Sequence, residues 1–187
     1  MDHYLEIRLL PDPEFIPSVL MNALFAKLHR ALVELDNDAI GLSFPDMQQE
    51  QPALGDRLRL HSKVDDLQSL MTMNWLTGMR DHITTHGPNP IPKKVGYRVV
   101  RRVQAKSNPD RIRRRLIKRK GITEVEARCA VPDSAAKKLK LPFVTIKSQS
   151  TGQEFRLFIE HQPVRNESVV GEFSCYGLSP TATVPWF

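Results

Sequence analysis

Cysteine is scarce in this sequence, and so are the patterns that mark membrane-bound or secreted proteins. The two cysteines, Cys129 and Cys175, are far apart and fit no metal-ligand spacing. No apolar run approaches the roughly 18–20 residues that span a bilayer, and residues 1–15 lack the basic and then apolar pattern of a secretory signal. The sequence therefore predicts a reduced, cytoplasmic protein with no membrane partner.

Familiar catalytic motifs are missing as well. The sequence has no glycine loop that would cradle a phosphate, no CxxC pair and no HExxH motif. The acidic clusters DNDAI (36–40) and VDDLQ (64–68) fall at predicted loop and cap positions, which does not favour cleavage by a pair of metal ions. We expect no metal and no cofactor, so acid–base chemistry by side chains remains.

Positive charge is concentrated in one part of the sequence. Residues 93–120 hold thirteen Lys and Arg against a single acid, Asp110, whereas the whole chain has a formal net charge of +6. The remainder of the chain is therefore net negative. Such polarisation indicates a polyanionic partner rather than general solubility.

A basic helix is predicted within this segment, at residues 108–120. Asn108 or Ser107 fits the N-cap, Pro109 fits the first turn and Gly121 fits the position just past the end. At about 100° per residue, five basic side chains share one continuous arc. The basic arc consists of Arg111, Arg114, Arg115, Lys118 and Arg119.

The basic arc is better suited to nucleic acid than to solvent or lipid. Solvated helices usually mix charges of both signs for pairing at i,i+4, and a helix on a membrane surface needs a broad apolar face. Ile112 and Leu116 lie at the edge of the arc, where they can dock the helix on the rest of the protein. Because guanidinium groups favour bidentate phosphate contacts, we interpret the arc as a phosphate-binding surface.

The first 86 residues show the element order β-α-β-β-α-β. Alternation and helical periodicity predict strands at 3–10, 39–44, 57–62 and 81–86, and helices at 17–36 and 64–78. Ser62, with Asp65 three residues later, resembles a capping box for the second helix. This order predicts a ferredoxin-like (RRM-like) domain at residues 1–94, ending in the proline-rich linker GPNPIPKK (87–94).

A second domain is predicted at residues 95–187, which gives the fold class α+β. Its elements are a basic strand at 97–104, the basic helix, a strand pair at 143–148 and 154–161 around the turn QSTGQ, and an irregular tail at 163–187. We therefore expect a divergent C-terminal α+β domain that carries the arginine-rich helix.

Arg102 and Gln104 of the basic strand are candidates for base recognition. They are two positions apart and so lie on one face of a strand. Arg grips guanine and Gln grips adenine in a major groove, and the major groove of RNA opens near a loop or a helix end. Ordinary polar residues of an edge strand explain the pair equally well, so both interpretations stay open.

Histidine is the natural residue for metal-free cleavage of RNA, because the 2′-OH attacks the adjacent phosphate once a base removes its proton. Six histidines compete for this role: His3, His29, His61, His82, His86 and His161. His29 lies toward the end of the first predicted helix, between its apolar stripe and its solvent side. From composition alone, a surface or boundary histidine is the favoured interpretation of His29.

Four segments give the chain, end to end, a resemblance to a known family: NALFAKLHRAL (22–32), NPDRIRRRLIKRKG (108–121), LPFVTIKSQSTGQEFRLFIEH (141–161) and FSCYGLSPTATVPWF (173–187). They resemble the Csy-type (subtype I-F) CRISPR-associated endoribonucleases, which cut precursor CRISPR RNA at repeat stem-loops. The resemblance implies an N-terminal ferredoxin-like domain and a divergent C-terminal domain.

The resemblance also implies roles for individual residues. His29 would act as general base on the 2′-OH or as acid on the leaving 5′-oxygen, Ser148 would hold the attacking 2′-hydroxyl, and Tyr176 would orient the histidine. The basic helix would follow the phosphates of the stem, with the two polar residues of the basic strand reading base edges. Phe155 would stack on the end of the stem. A turn serine at 148 and packed aromatic rings at 155 and 176 are the alternatives.

Residues and resemblance together predict a metal-independent endoribonuclease. It would cleave at the 3′ base of a CRISPR repeat stem-loop and leave a 2′,3′-cyclic phosphate and a 5′-hydroxyl. Expected partners are precursor and mature CRISPR RNA and the other subunits of a Csy-type effector complex, with the chain monomeric on its own. A non-catalytic protein that binds RNA stem-loops is the alternative, and a DNA-binding protein is only weakly disfavoured.

Overall fold

The computed structural model describes residues 1–48, 53–104, 109–132, 139–148 and 152–187, which form an α+β fold. The strands are β1 (His3–Leu9), β2 (Gly41–Ser43), β3 (Arg57–Ser62), β4 (Ile83–Pro90), β5 (Gly96–Val103), β6 (Phe143–Lys147), β7 (Glu154–His161) and β8 (Thr183–Trp186). The helices are α1 (Pro17–Leu35), α2 (Val64–Thr72), α3 (Pro109–Lys120) and α4 (Glu124–Ala130), with a short 3₁₀ helix at Arg80–His82.

The first antiparallel sheet has the strand order β2-β3-β1-β4 and packs one face on α1 and α2. Alternation in β1 directs Leu5 and Ile7 to this face, where they lie opposite Leu60 and Leu58 of β3. All four leucine and isoleucine side chains are fully buried, and each contributes roughly 1.5–3 kcal/mol to the free energy of folding. The helix that carries His29 is therefore seated on a well-packed sheet.

The opposite face of the first sheet carries polar side chains and receives the C-terminal residues. Arg59 donates hydrogen bonds to Glu6 and to the Phe187 carbonyl oxygen, and its guanidinium lies 4.2 Å from the centre of the Phe187 ring. The Tyr4 ring meets the same phenyl ring edge to face, at 5.0 Å between centroids. Part of this sheet face is therefore covered by the chain's own C-terminal segment.

The second antiparallel sheet has the strand order β6-β7-β5-β8. The first half of β5 pairs with β8 and its second half pairs with β7. Because β6 is at the end of the order, one of its edges faces away from the sheet, and α1 packs against β6. The helix α1 thus contacts both sheets.

The structure divides into two compact units, the larger comprising Met1–Val103 with Leu141–Phe187 and the smaller Gln104–Lys140. The predicted boundary at residue 94 falls inside the larger unit and stays a prediction. Both sheets and the helices α1 and α2 belong to the larger unit, and α3 and α4 belong to the smaller.

Most predicted elements are confirmed with small shifts at their ends, including α1, which has Pro17 at its first position. The predicted strands at 3–10, 39–44, 57–62, 97–104, 143–148 and 154–161 correspond to β1, β2, β3, β5, β6 and β7. The Asn108 or Ser107 cap and part of the QSTGQ turn lie outside the described residues.

Several predicted boundaries are wrong for physical reasons. Ser62 ends β3 and donates to Asp66 rather than capping α2, whose N-cap is Lys63. The second helix ends at Thr72 because Asn74 takes a positive φ of 54°, which stops a right-handed helix. Half of the predicted linker 87–94 belongs to β4, since an edge strand tolerates proline.

Two further elements were not anticipated from the sequence. The tail contains β8, and a helix α4 follows the basic helix. The sequence signal for α4 is a capping box in which Thr123 and Glu126 exchange hydrogen bonds. No helix among the described residues is both long enough and apolar enough to cross a membrane.

Candidate active site and nucleic-acid interface

An open pocket of about 300 Å³ lies beside the C-terminal half of α1 and the end of β6. It is lined by Ala26, His29, Arg30, Val33, Ile146, Lys147, Ser148, Phe155 and Tyr176. Four residues singled out from distant parts of the sequence therefore meet around one cavity. They are His29, Ser148, Phe155 and Tyr176.

His29 is half-buried on α1, and a backbone carbonyl fixes its protonation pattern. Its Nδ1 lies 2.9 Å from the carbonyl oxygen of Cys175. A carbonyl oxygen only accepts hydrogen bonds, so Nδ1 must carry the proton, and in the neutral ring Nε2 holds the lone pair. Within the described residues Nε2 makes no hydrogen bond. This nitrogen is therefore available to accept a proton from a bound ligand.

Tyr176 holds the plane of the histidine ring. The two rings stack with centroids 4.1 Å apart and an interplanar angle of 14°. Behind Tyr176 the Phe25 ring continues the stack at 6.5 Å. Burial raises the pKa of the Tyr176 hydroxyl, an effect that the positive charge of Arg102 partly offsets, so this hydroxyl stays protonated near neutral pH.

A tight turn explains how residues 175 and 176 both reach His29. The Gly177 N–H donates to the Ser174 carbonyl at 2.7 Å, which leaves Cys175 and Tyr176 at the two central positions. Gly177 has φ +66°, and a Cβ there would lie 2.7 Å from Cδ2 of Leu42. Its carbonyl in turn accepts from the Leu42 N–H of β2 at 3.0 Å. The turn therefore requires glycine and is fastened to the first sheet.

Ser148 lies one residue past the end of β6, at the mouth of the β6–β7 hairpin. Its backbone N–H donates to the Gln153 carbonyl at 2.9 Å, and its carbonyl accepts from the Gly152 N–H at 2.8 Å. These bonds close the hairpin, so Ser148 is held at a defined position beside α1. The turn-serine interpretation describes its backbone correctly, and its position in the pocket is an additional property.

Phe155 and Arg102 lie close to each other beside the pocket. Phe155 packs partly against the core while also lining the pocket, so core packing accounts for one part of its surface. The Arg102 guanidinium is exposed and lies 5.7 Å from the Phe155 ring and 5.8 Å from the Tyr176 ring. Gln104 is exposed just past the end of β5. Their roles in reading bases stay predictions.

Two cations of the pocket were not anticipated from the sequence. Arg30 and Lys147 are exposed residues that line it from α1 and β6, next to His29 and Ser148 in the chain. Among the described residues, none of the side chains that line the pocket is acidic. Such a site attracts a phosphate diester and stabilises negative charge that develops on its oxygens. The sequence signal that could have identified Arg30 and Lys147 was their position next to the predicted catalytic residues His29 and Ser148.

The other histidines have structural surroundings. His61 and His161 are buried, and burial lowers the pKa of each imidazole to about 3. The positive charge of Arg59 adds a smaller effect on His61, and that of Arg98 adds one on His161. His82 pairs with Asp12 at 2.7 Å. His3 pairs with its neighbour Asp2, and His86 is exposed on β4. Of the six, His29 is the histidine that lines this pocket.

The predicted basic arc lies on the exposed surface of α3. All five of its residues are exposed, whereas Arg113 is buried and faces α4. Arg113 donates to the Val131 carbonyl at 2.8 Å and pairs with Asp110 at 3.1 Å. Ile112 and Leu116 are half-buried, and their docking role stays a prediction. The arginine omitted from the arc therefore fastens the helix, and the remaining ones face solvent.

Comparison with known proteins gives a consistent result across the whole chain. Residues 4–187 match the family model described as CRISPR-associated protein (Cas_Csy4). The chain is 55% identical over 187 residues to a protein of Pseudomonas aeruginosa (strain UCBPP-PA14) named CRISPR-associated endonuclease Cas6/Csy4, covering all of both chains. An Escherichia coli (strain UTI89 / UPEC) protein of the same name is 49% identical, again over the full length of both. The chain belongs to the Csy4 family of CRISPR-associated proteins.

Proposed function

We propose that this protein is a metal-independent endoribonuclease that processes precursor CRISPR RNA. It binds a repeat stem-loop and cleaves at the 3′ base of the hairpin. Family membership and the endonuclease names of its relatives support the reaction class. The observation that carries the chemical assignment is the pocket in which His29, Ser148 and Tyr176 meet without an acidic neighbour among the described residues.

The reaction follows from the groups around the pocket. Nε2 of His29 accepts the proton of the 2′-OH, and the 2′-oxygen attacks the adjacent phosphorus. The bond from phosphorus to the 5′-oxygen breaks, the leaving oxygen takes up a proton from water, and the imidazolium then releases its own proton to solvent. The products are a 2′,3′-cyclic phosphate and a 5′-hydroxyl. Ser148 holds the 2′-hydroxyl. The Cys175 carbonyl and the Tyr176 ring keep the imidazole in position.

Phosphate and base contacts complete the proposal. The basic arc of α3 binds phosphates of the stem, because its side chains are exposed, basic and mostly guanidinium. Arg102 and Gln104 read base edges, and Phe155 stacks on the end of the stem. The nearness of Arg102 to Phe155 supports a common recognition surface for the last base pair.

We also propose a ferredoxin-like domain at residues 1–94 and an RNA-hairpin-binding domain at 95–187. The strand order β2-β3-β1-β4 with two helices on one face supports the first assignment. In the cell, the protein acts in the cytoplasm, is monomeric on its own and joins other subunits of a Csy-type effector complex.

The decisive experiment uses an RNA hairpin whose sequence is that of a CRISPR repeat encoded next to the gene for this protein. The protein is incubated with it in EDTA, and both product termini are analysed. We expect one cut, a 2′,3′-cyclic phosphate and a 5′-hydroxyl. A matched hairpin with a 2′-deoxyribose at the cut site should bind equally well and remain intact.

Three outcomes would count against the proposal. Cleavage that requires added divalent metal would exclude a metal-independent reaction. Cleavage of the 2′-deoxy hairpin would exclude attack by the 2′-OH. Tight binding of the natural hairpin without any cleavage would favour the non-catalytic RNA-binding alternative.

A further inference from the structure

One hydrogen bond outside the pocket links the two elements that supply His29 and Ser148. The backbone N–H of Thr145 in β6 donates to Oδ1 of Asn22 in α1, at 2.9 Å. Asn22 is half-buried and does not line the pocket. It is the first residue of the segment NALFAKLHRAL, and nothing in the proposed reaction uses it.

The bond exists because β6 is an edge strand. Thr145 lies opposite Arg156 of β7, yet its N–H points away from β7 and toward α1. An edge strand exposes every second backbone N–H in this way, and such groups need a partner when they are partly buried. Asn is less favourable than Ala or Leu in the interior of a helix. Its presence at position 22 therefore indicates a specific use, which is to accept this N–H.

The distance from this hydrogen bond to the pocket is nearly the same along α1 as along β6. His29 follows Asn22 by seven residues, which is about 10 Å along a helix. Ser148 follows Thr145 by three residues, which is again about 10 Å along an extended strand. Ala26 and Ile146 lie between these ends and line the same pocket. A shift of β6 along α1 at the bond would therefore move Ser148 relative to His29 by a similar amount.

We propose that Asn22 is a positioning residue that sets the register of β6 along α1 and thereby the distance between His29 and Ser148. This inference rests on the proposed function, since it concerns the geometry of that reaction. Displacements of about 1 Å in an active site reduce rates by up to about a hundredfold. The loss of one of several contacts between α1 and β6 is expected to cost less, about tenfold.

The test compares Asn22→Leu with Asn22→Asp. Leucine has a similar shape and no acceptor, and Asn22 also borders a separate cavity of about 370 Å³ that gives the new side chain room. Aspartate keeps an oxygen acceptor for the Thr145 N–H. Single-turnover cleavage is measured at saturating protein, affinity is measured with the 2′-deoxy hairpin, and thermal stability is recorded for each variant. We expect about tenfold slower cleavage for Asn22→Leu, unchanged affinity, and recovery to near the wild-type rate for Asn22→Asp.

Ser62→Ala is the matched control. Ser62 is buried in the same unit, away from the pocket, and donates to Asp66 and to the Ala39 carbonyl. The alanine variant loses both hydrogen bonds. It should lower thermal stability without slowing cleavage. The inference is wrong if Asn22→Leu cleaves at the wild-type rate, if Asn22→Asp is as slow as Asn22→Leu, or if Ser62→Ala slows cleavage equally. A wild-type protein that does not cleave would instead overturn the proposed function, which separates the two failures.

Discussion

The basic helix and the pocket are built in opposite ways. The basic arc on α3 comes from nine consecutive positions, 111–119, and its charge is visible in the sequence. The pocket is assembled from α1, the β6–β7 hairpin and the turn at residues 174–177. The arc needs a single helix with a buried anchor, Arg113, whereas the pocket needs two sheets and a glycine turn to form correctly.

The two kinds of construction correspond to two proposed functions, RNA binding by the basic arc and catalysis at the pocket. A surface for phosphates works through many similar charges, so each one makes a modest contribution. The proposed acid–base chemistry uses a single nitrogen, Nε2 of His29, whose orientation is fixed by two neighbours, Cys175 and Tyr176. Changes to the arc should therefore weaken binding gradually, while the loss of His29 from the pocket should stop cleavage and leave binding intact.

The largest expected effect comes from His29→Ala. Removing a general base costs about 10²–10⁴-fold in rate, so cleavage of the repeat hairpin should fall below detection over the usual time course. Affinity for the 2′-deoxy hairpin should stay within about twofold, because no phosphate contact is lost. His86→Ala, which changes an exposed histidine on β4, is the control and should cleave normally. An equal loss of affinity and rate would show that His29 holds RNA.

The next largest effect is expected for the double substitution of Arg115 and Arg119 by Ala. Each charged hydrogen bond contributes about 1.5 kcal/mol, so affinity should fall about a hundredfold in total. The slope of log affinity against log salt should also decrease by about one for each arginine. Arg128→Ala removes the same charge from α4 and should change neither quantity appreciably. An unaltered salt slope in the double variant would exclude α3 from the phosphate contacts.

A smaller effect is expected from mild acid, and it should act on the larger unit. The folded-state pKa of His61 and of His161 is lowered to about 3, against an ordinary value of about 6.5 in the unfolded chain. Between these values the unfolded chain binds more protons, so stability falls as the pH falls. From pH 7 to 5.5 we expect a loss of about 1 kcal/mol in the free energy of unfolding for each histidine.

Tryptophan fluorescence measures this effect in the appropriate unit, because Trp75 and Trp186 both belong to it. Urea unfolding is followed at the two pH values for the wild type and for His161→Phe. Phenylalanine keeps the ring contacts with Phe44 and Trp186 and gives up the hydrogen bond that Nε2 accepts from the Phe44 N–H at 3.4 Å. The variant should lose about half of the pH dependence. The assignment fails if the two proteins respond equally to acid.

The smallest effect is a difference between two glycines with nearly the same backbone angle. Gly177 and Gly121 have φ of +66° and +65°, so Ala at either position pays the conformational cost of about 1 kcal/mol. At 177 the new Cβ also meets Leu42, whereas at 121 nothing lies within 4 Å. Gly177→Ala should therefore be less stable by about a further 1 kcal/mol and should cleave more slowly. Equal stability and equal cleavage would show that the turn adjusts freely.

The sequence predicts much of the fold because most elements have local causes. The apolar stripe of α1 and the alternation of β1 and β3 act over a few residues. The basic arc was predicted for the same reason, since charge and helical period are both local. The missed β8 is short, and it is a strand because it pairs with β5, far away in the chain.

The pocket could not be derived from local patterns. His29 resembles an ordinary boundary residue of an amphipathic helix, and its hydrogen-bond partner is the carbonyl of Cys175, which any residue would supply. Family resemblance pointed to His29, Ser148 and Tyr176, and the fold brings them to one cavity. Arg113 shows the reverse case, because a charge that looks like part of the basic surface is buried under α4.

The stack of Tyr176 on His29 has a spectroscopic consequence. A ring centred 4.1 Å above the imidazole and nearly parallel to it places the imidazole protons in the shielding region of the phenol ring current. Their proton NMR signals should therefore be shifted upfield and distinguishable from those of the exposed His86. Because the stack and the Cys175 carbonyl define the ring's position before any RNA arrives, these signals provide an internal reporter of how much the site rearranges when the hairpin binds.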